Sequence, residues 1–301
     1  MVQCLLVIIM QFYGLIHGVD LNTKVISIKK NRKVYFFYFQ NSLMHLFRRY
    51  LYQGVIIDFE YNPEVTMRKN YCEAYLITQV YELYNPSRYG KNVFYNKNMI
   101  DKSLKNVLNS LDNMLFLDLE MTMPEYGESG HFTSQIIQAG FYLTDSNFNE
   151  LYKETVYIKP YKNKKLSRRT IDFLKISTEE FEQNSITYNK FYDMFKNVIL
   201  QYNPSIIIYG KNDKITLERS YEIHKKESLK PICRFINLVS ILKQFYSLKS
   251  DPGLFKLYEY YYKKDADQKH DALDDAYVTS LVFKAFLENI NKGDDLKKAG
   301  F

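Results

Sequence analysis

The stretch LFLDLEMT, residues 115–122, is an apolar run that ends in two acids, Asp118 and Glu120, two positions apart. Side chains alternate along a strand with period two, so a strand here puts both carboxylates on one face. The same pattern stands sixty residues earlier, in VIIDFEYN at 55–62, with Asp58 and Glu60. Either pair can hold a divalent cation, and either can be a solvated strand edge.

The residues downstream of each pair separate them. After Glu120 come SQIIQAGFYLTD (134–145) and ELYKETVYIKP (150–160), two strand-like runs spaced for a meander. Helical patterns cover SRRTIDFLK, STEEFEQ and TYNKFYDMFKNVILQY, then the apolar strand PSIIIYG leads to a helix from about Lys214. The short strand FINLV and a mostly helical end, SILKQFYSLK through ALDDAYVTSLVFKAFLENI, complete a mixed α/β sheet flanked by helices. Nothing comparable succeeds Glu60, so VIIDFEYN reads as a barrel strand with outward carboxylates.

Three further residues join the second pair. YGKNDKITLE places Asp213 just beyond a sheet edge at a helix start, 95 residues after Asp118. KHDALDDAY places His270 before or at the start of another helix and Asp275 within it, on a stripe with Ala272, Ala276, Thr279 and Phe283. An acid on an apolar stripe needs compensation for burial, which a cation supplies.

Taken together and in order, these segments resemble the three motifs of the DEDDh 3′–5′ exonucleases of the RNase T and DNA polymerase III epsilon superfamily: Asp-x-Glu, a second Asp, and His-x4-Asp. Within it the likeness is nearest to the KapD-type and Eri-type exonucleases, carried by DLEMTMPE, SQIIQAGFYL, VYIKP, LKIST and KHDALDDA over residues 114–290. The spacing His-x4-Asp selects Asp275 over Asp274. Two positions depart from the family: Tyr209 stands where Trp is common, and Gln138 where Glu is usual.

The resemblance implies an RNase H-like exonuclease domain over 114–292 that cuts single-stranded nucleic acid from its 3′ end to nucleoside 5′-monophosphates. Four hard carboxylate ligands suit Mg2+ or Mn2+ rather than zinc. The family implies two such ions about 4 Å apart, with Asp118 bridging them, Glu120, Asp213 and Asp275 completing their shells, and His270 as general base. RNA is favoured by the Eri-type likeness, but nothing in the motifs themselves separates it from DNA. A DNA proofreading or repair exonuclease, or a nucleic-acid-binding module without catalysis, are the rival readings.

The first third of the chain differs in character. Residues 1–110 hold 14 Lys and Arg against 7 Asp and Glu, whereas the remainder balances at 27 of each, so the whole formal charge of +7 lies in this part. Such asymmetry points to an anionic partner. Over 1–85, three strand-like runs, the helical pattern NSLMHLFRRYLYQ with Ser42 as cap, and two more runs give the order of an OB-like barrel, with Gly14 suiting a bend in the first strand. Lys29, Lys30, Arg32 and Lys33 cluster in one turn and are expected to contact nucleic acid; Tyr35, Phe37 and Phe39 alternate on the next strand, either as an exposed stacking surface beside that turn or as filling of the barrel core. Residues 86–113 read as a linker with one short helix from about Asp101, and 293–301 as a tail.

The opening MVQCLLVIIMQFYGLIHGVD lacks a basic start and a cleavage site, and reads as a buried strand rather than a targeting or membrane segment. Cys4, Cys72 and Cys233 are odd in number and far apart, the usage of reduced thiols in a cytoplasmic protein. Protein partners are not legible.

Overall fold

The structure, a computed structural model, describes residues 9–69, 72–128, 130, 132–163, 165–265, 270–290, 296 and 301. Cys4 and His131 lie outside them. The chain forms two compact units, Met1–Leu104 and Lys105–Phe301.

The first unit is built from β1 (Met10–Asp20), β2 (Val25–Lys30), β3 (Lys33–Tyr38), α1 (Asn41–Phe47), β4 (Ile56–Lys69), β5 (Cys72–Ser87) and β6 (Gly90–Asn96). β1 pairs with both β2 and β4, β2 with β3, β4 with β5, and β3 closes the ring by a parallel pairing to β5. Five strands closed in this order, with a helix between the third and fourth, is the connectivity of the OB barrel. β1 pairs β4 through Met10–Leu15 and β2 from Ile16 onward, so it bends between two neighbours. Gly14 lies at that bend because a Cβ there would sit 2.5 Å from Ile28 Cγ2.

Two expectations need correction, and one open choice is decided. Residues 86–113 are not a linker over their first half: β6 pairs antiparallel with β5 over Glu82–Ser87, and α2 (Lys97–Asn109) begins directly after it. The Asn/Lys-rich composition hid a half-exposed edge strand. Ser42 lies inside α1, whose cap position is Gln40. Phe37 and Phe39 are buried in the barrel core with Ile16, Ile26, Ile57 and Phe59, and only Tyr35 of that alternating trio reaches the surface. Aromatics on the inner face of a small barrel are its filling.

Asp58 and Glu60 alternate along β4 with the fully buried Ile57 and Phe59 and therefore point out of the barrel. Asp58 accepts a 2.8 Å hydrogen bond from Gln11 Nε2, and Glu60 accepts one from the Tyr81 hydroxyl. Both acids are spent on local surface contacts.

In the second unit, β7 (Met114–Met121), β8 (Ile136–Thr144) and β9 (Glu150–Ile158) form the antiparallel meander. After α3 (Arg168–Leu174) and α4 (Thr178–Asn184), the two-residue β10 (Ser185–Ile186) pairs with β9, and α5 (Tyr188–Tyr202) leads to β11 (Ser205–Ile208). The remaining elements are α6 (Asn212–Ile223), β12 (Arg234–Asn237), α7 (Leu238–Tyr246), α8 (Leu254–Tyr262) and α9 (Ala272–Asn289). The sheet order is β10-β9-β8-β7-β11-β12, with β11 parallel to both β7 and β12. Alternation splits β7 between two layers. Leu115, Leu117 and Leu119 join a core with Phe141, Phe191, Phe195 and Leu217, while Phe116 packs on Phe283 of α9 with ring centroids 5.9 Å apart. Asp118 and Glu120 thus share the face that α9 covers. Of the expected tail, Leu296 is buried and Phe301 rests its ring on Tyr260.

Candidate active site

β7 lies between antiparallel β8 and parallel β11, and its acidic end reaches the edge where β11 hands the chain to α6. Asp213 sits in the first turn of α6, 5% exposed, and accepts a 3.1 Å hydrogen bond from the backbone N–H of Leu119, between the two acids of β7. That bond spans 94 residues of sequence and ties the second motif to the first.

The third motif is held against the other neighbour, β8. In the β7–β8 ladder Asp118 stands opposite Gly140 and Glu120 opposite Gln138. Cross-strand partners project to the same face, so Gly140 and Gln138 flank the acids. A Cβ on Gly140 would lie 2.2 Å from the backbone carbonyl carbon of Ala272. The missing side chain lets the N-terminus of α9 rest on the strand beside Asp118. Gln138, 2% exposed, donates from Nε2 to Asp271 at 2.7 Å and to Thr155 Oγ1 at 3.3 Å, and its Oε1 accepts from Ala272 N at 3.5 Å. Asp271 in turn caps α9, accepting from the N–H groups of Leu273 and Asp274 at 3.0 and 3.1 Å.

This seat delivers the third-motif residues. Asp275 is 8% exposed and lies on the buried stripe with Ala272, Ala276, Thr279 and Phe283, while Asp274 is exposed. His270 precedes the cap with φ +55°, and its ring lies 4.2 Å from that of Phe173 on α3. Ligand atoms of Glu120, His270 and Asp275 all fall within 4.8 Å of one another, a spacing that can hold a metal ion.

Electrostatics single out the same group. Burial, then the charges of Asp213, Asp275, Glu120 and Asp271, hold the Asp118 carboxyl well above its ordinary range. Glu120 is pushed up to about 8 by burial and then by Asp275, Asp213 and Asp271. Asp275 rises to about 7 through burial and the neighbouring Asp271 and Asp274. Asp213 rises only to about 6, because backbone N–H groups offset part of its burial. His270 is lowered by burial and by Lys175.

The donor set fits a cation. The Asp275 Oδ1 atom is buried with no hydrogen-bond partner, and no salt bridge reaches the four carboxylates among the described residues. Four largely buried acids without a counter-charge repel one another, and oxygen-loving divalent ions are what such a group accepts.

The five residues read from the motifs, Asp118, Glu120, Asp213, His270 and Asp275, come from β7, from α6, and from the start of α9 and the segment just before it. The sequence reading missed Asp271 and Phe173 and noted Gln138 only as a departure. Asp271 carried a signal, an Asp immediately before a helical apolar pattern. Tyr209, the other departure, donates its hydroxyl to the Pro252 carbonyl. Lys29, Lys30, Arg32 and Lys33 belong to the first unit, exposed at the β2–β3 turn. Ser167 caps α3, and Arg168, exposed, pairs loosely with Asp172 at 3.9 Å.

Comparison with known proteins agrees with this geometry. The probable 3′–5′ exonuclease KapD of Bacillus subtilis is 28% identical over 176 residues, 58% of this chain and 83% of that protein. Among solved structures, the nuclease domain of 3'hExo, a DEDDh family member, superposes with a TM-score of 0.51 at 18% identity, covering 61% of this chain and 94% of that one. A full-length 3′-exonuclease superposes with a TM-score of 0.52 at 17% identity, covering 61% and 83%. The exonuclease profile of the RNase T family matches residues 115–283, more than half of the chain and all of the site. The chain belongs to the RNase T exonuclease family, the family of DEDDh 3′–5′ exonucleases that its three motifs resemble.

Proposed function

We propose that this exonuclease releases nucleoside 5′-monophosphates one at a time from the 3′ end of single-stranded nucleic acid, RNA in preference to DNA. Asp118, Glu120, Asp213 and Asp275 would hold two divalent ions, Mg2+ or Mn2+, and His270 would act as general base. The observation that carries this reading is the convergence of four mutually repelling carboxylates, with Asp275 Oδ1 left unpartnered, beside a histidine. The preference for RNA rests on the Eri-type likeness; the fold neighbour 3'hExo is bound to rAMP.

Bound divalent ions would offset the charge developing on the scissile phosphate and the departing 3′-oxygen. The protein's own groups do the rest. His270, lowered by burial and Lys175, is neutral near pH 7 and accepts a proton from the attacking water on a ring nitrogen. Phe173 lies against the imidazole and limits its orientation. The Leu119 N–H and the Gln138–Asp271 bond fix the second and third motifs against the first, so the carboxylates keep their places without bound substrate. Water adds to phosphorus, the P–O3′ bond breaks, and the freed 3′-hydroxyl takes a proton from solvent.

Labelled RNA and DNA oligonucleotides, incubated side by side with Mg2+, Mn2+ or EDTA, test this. Stepwise shortening from the 3′ end, silenced by EDTA and by Asp118→Ala or Asp213→Ala in a folded chain, is expected. Near wild-type rates in either variant, or activity indifferent to EDTA, would refute the site. Faster loss of DNA would replace RNA as the substrate.

A further inference from the structure

The barrel of the first unit has two unlike ends. α1 covers the end where β3 finishes, with Met44 and Phe47 packed among Phe39, Leu51, Val55 and Leu83. The end where β3 begins is lined by rings from four strands: Phe12 of β1, Tyr35 of β3, Tyr61 of β4 and Tyr75 of β5, each half-buried. Their centroids form a connected row, Tyr35 to Phe12 at 5.3 Å, Phe12 to Tyr61 at 6.2 Å and Tyr61 to Tyr75 at 5.5 Å, with Phe37 and Phe59 sealing the floor.

Beside this mouth stands the β2–β3 turn. Asn31 and Arg32 both have positive φ, +49° and +63°, the backbone of a tight two-residue hairpin turn. Glycine is the usual second residue of such a turn, and here it is an arginine. Lys29, Lys30, Arg32 and Lys33 are all exposed, and no salt bridge reaches any of them among the described residues. The Lys30 ammonium lies 4.9 Å from the Phe12 ring centroid, which joins the cationic turn to the aromatic row. From Leu21 to Ile57 the chain contains seven basic residues and no acidic one. Acids return on β4 and β5, at Asp58, Glu60, Glu64, Glu73 and Glu82.

We propose that this mouth is a second nucleic-acid site, which holds single-stranded substrate by stacking bases on Tyr35, Tyr61 and Tyr75 while Lys29, Lys30, Arg32 and Lys33 pair with its phosphates. Half-exposed rings joined to unpaired cations suit a single strand, whose bases offer π-faces and whose backbone offers charge. An acidic protein would use the cations and leave the rings without a matching partner. The inference rests on nucleic acid being the substrate of the second unit, and assigns the first unit the capture of the strand.

The test uses the full chain carrying Asp213→Ala, so that the strand survives, and the fluorescence anisotropy of labelled oligo-U and oligo-dT of about 20 nucleotides. Replacing Lys29, Lys30, Arg32 and Lys33 together by Gln is expected to weaken binding at least tenfold. The log–log salt dependence becomes shallower by about 0.7 for each phosphate that is no longer paired. Tyr61→Leu with Tyr75→Leu, checked for folding by thermal melting, weakens binding about tenfold at unchanged salt slope. Wild-type affinity and slope in the cation variant would overturn the inference and leave the surface to an acidic protein partner. This variant alone decides if the tyrosine pair fails to fold. Hydrolysis by the wild-type chain is scored separately: binding through this mouth without any degradation would sink the exonuclease reading and spare this one, and degradation with binding indifferent to the four cations would do the reverse.

Discussion

Gln138 and Asp271 are 133 residues apart in sequence and 2.7 Å apart in space, joined by a hydrogen bond from the Gln138 amide to the Asp271 carboxylate. The bond fixes the start of α9 to β8, and with it the residues on either side of the cap, His270 and Asp275. Gln138→Leu leaves the half-buried Asp271 carboxylate and the buried Ala272 N–H without this partner, which costs about 1–3 kcal/mol. Gln138→Glu sets two carboxylates against each other at 2.7 Å and should lower the melting temperature. Adding Asp271→Asn to Gln138→Glu reverses the donor and acceptor. The double variant is expected to recover most of the melting temperature and of kcat, and a double variant no better than Gln138→Glu would deny the bond its positioning role.

Gly140→Ala should be more damaging than its size suggests. The new Cβ would meet the Ala272 carbonyl group at 2.2 Å and the Leu273 nitrogen at 2.3 Å, and backbone cannot rotate out of the way. Overpacking of this kind costs about 1–3 kcal/mol, and the expected response is a shift of α9 away from Asp118. Metal affinity measured by calorimetry should fall together with the rate. Unchanged affinity would show that α9 does not need this seat.

The acidic cluster makes metal-free stability depend on pH in an unusual direction. Folded pKa values of about 8 for Glu120, 7 for Asp275 and 6 for Asp213 lie above the ordinary 4.5 and 3.8. Between the ordinary and the folded values the native state binds more protons than the unfolded one, so stability falls as pH rises through that window. Below it, the contribution is fully present. The EDTA-treated protein should therefore melt lower at pH 8 than at pH 5, and Mn2+ should raise melting more at pH 8, where it displaces fewer protons. Asp275→Asn should melt above wild type at pH 8 without metal and lose that advantage when metal is added. A metal-free melting curve indifferent to pH across this range would count against the clustering.

His270→Ala should lower kcat by about 10²–10⁴-fold, the usual contribution of a general base. Because burial and Lys175 lower its pKa, the wild-type rate should level off at a lower pH than an ordinary histidine would give. Lys175→Ala should move that limb upward. A His270→Ala profile with the same rising limb would assign the titration to another group.

Replacing both Asp58 and Glu60 by Ala should leave hydrolysis of short oligonucleotides at the wild-type rate. Their contacts, to Gln11 and Tyr81, are local to the outside of the barrel. Loss of activity in a folded double variant would return this pair to the candidate site.

The sequence by itself determined the features that depend on local periodicity and side-chain chemistry. Period two put Asp118 and Glu120 on one face, the helical stripe turned Asp275 inward, and the meander after Glu120 chose between two identical Asp-x-Glu patterns. The barrel's strand and helix order was legible for the same reason. Tertiary structure alone decided which neighbours those faces meet. No local signal reveals that Leu119 donates to Asp213, that Gln138 reaches Asp271, or that the α9 N-terminus needs Gly140 to be bare, because each contact closes across about a hundred residues of intervening chain. Alternation likewise could not say that the face carrying Phe37 and Phe39 is the inside of the barrel, nor that an Asn-rich stretch pairs as β6. Which side of a strand meets water is fixed by ring closure, and an edge strand takes its stability from the neighbour it pairs with rather than from its own residues.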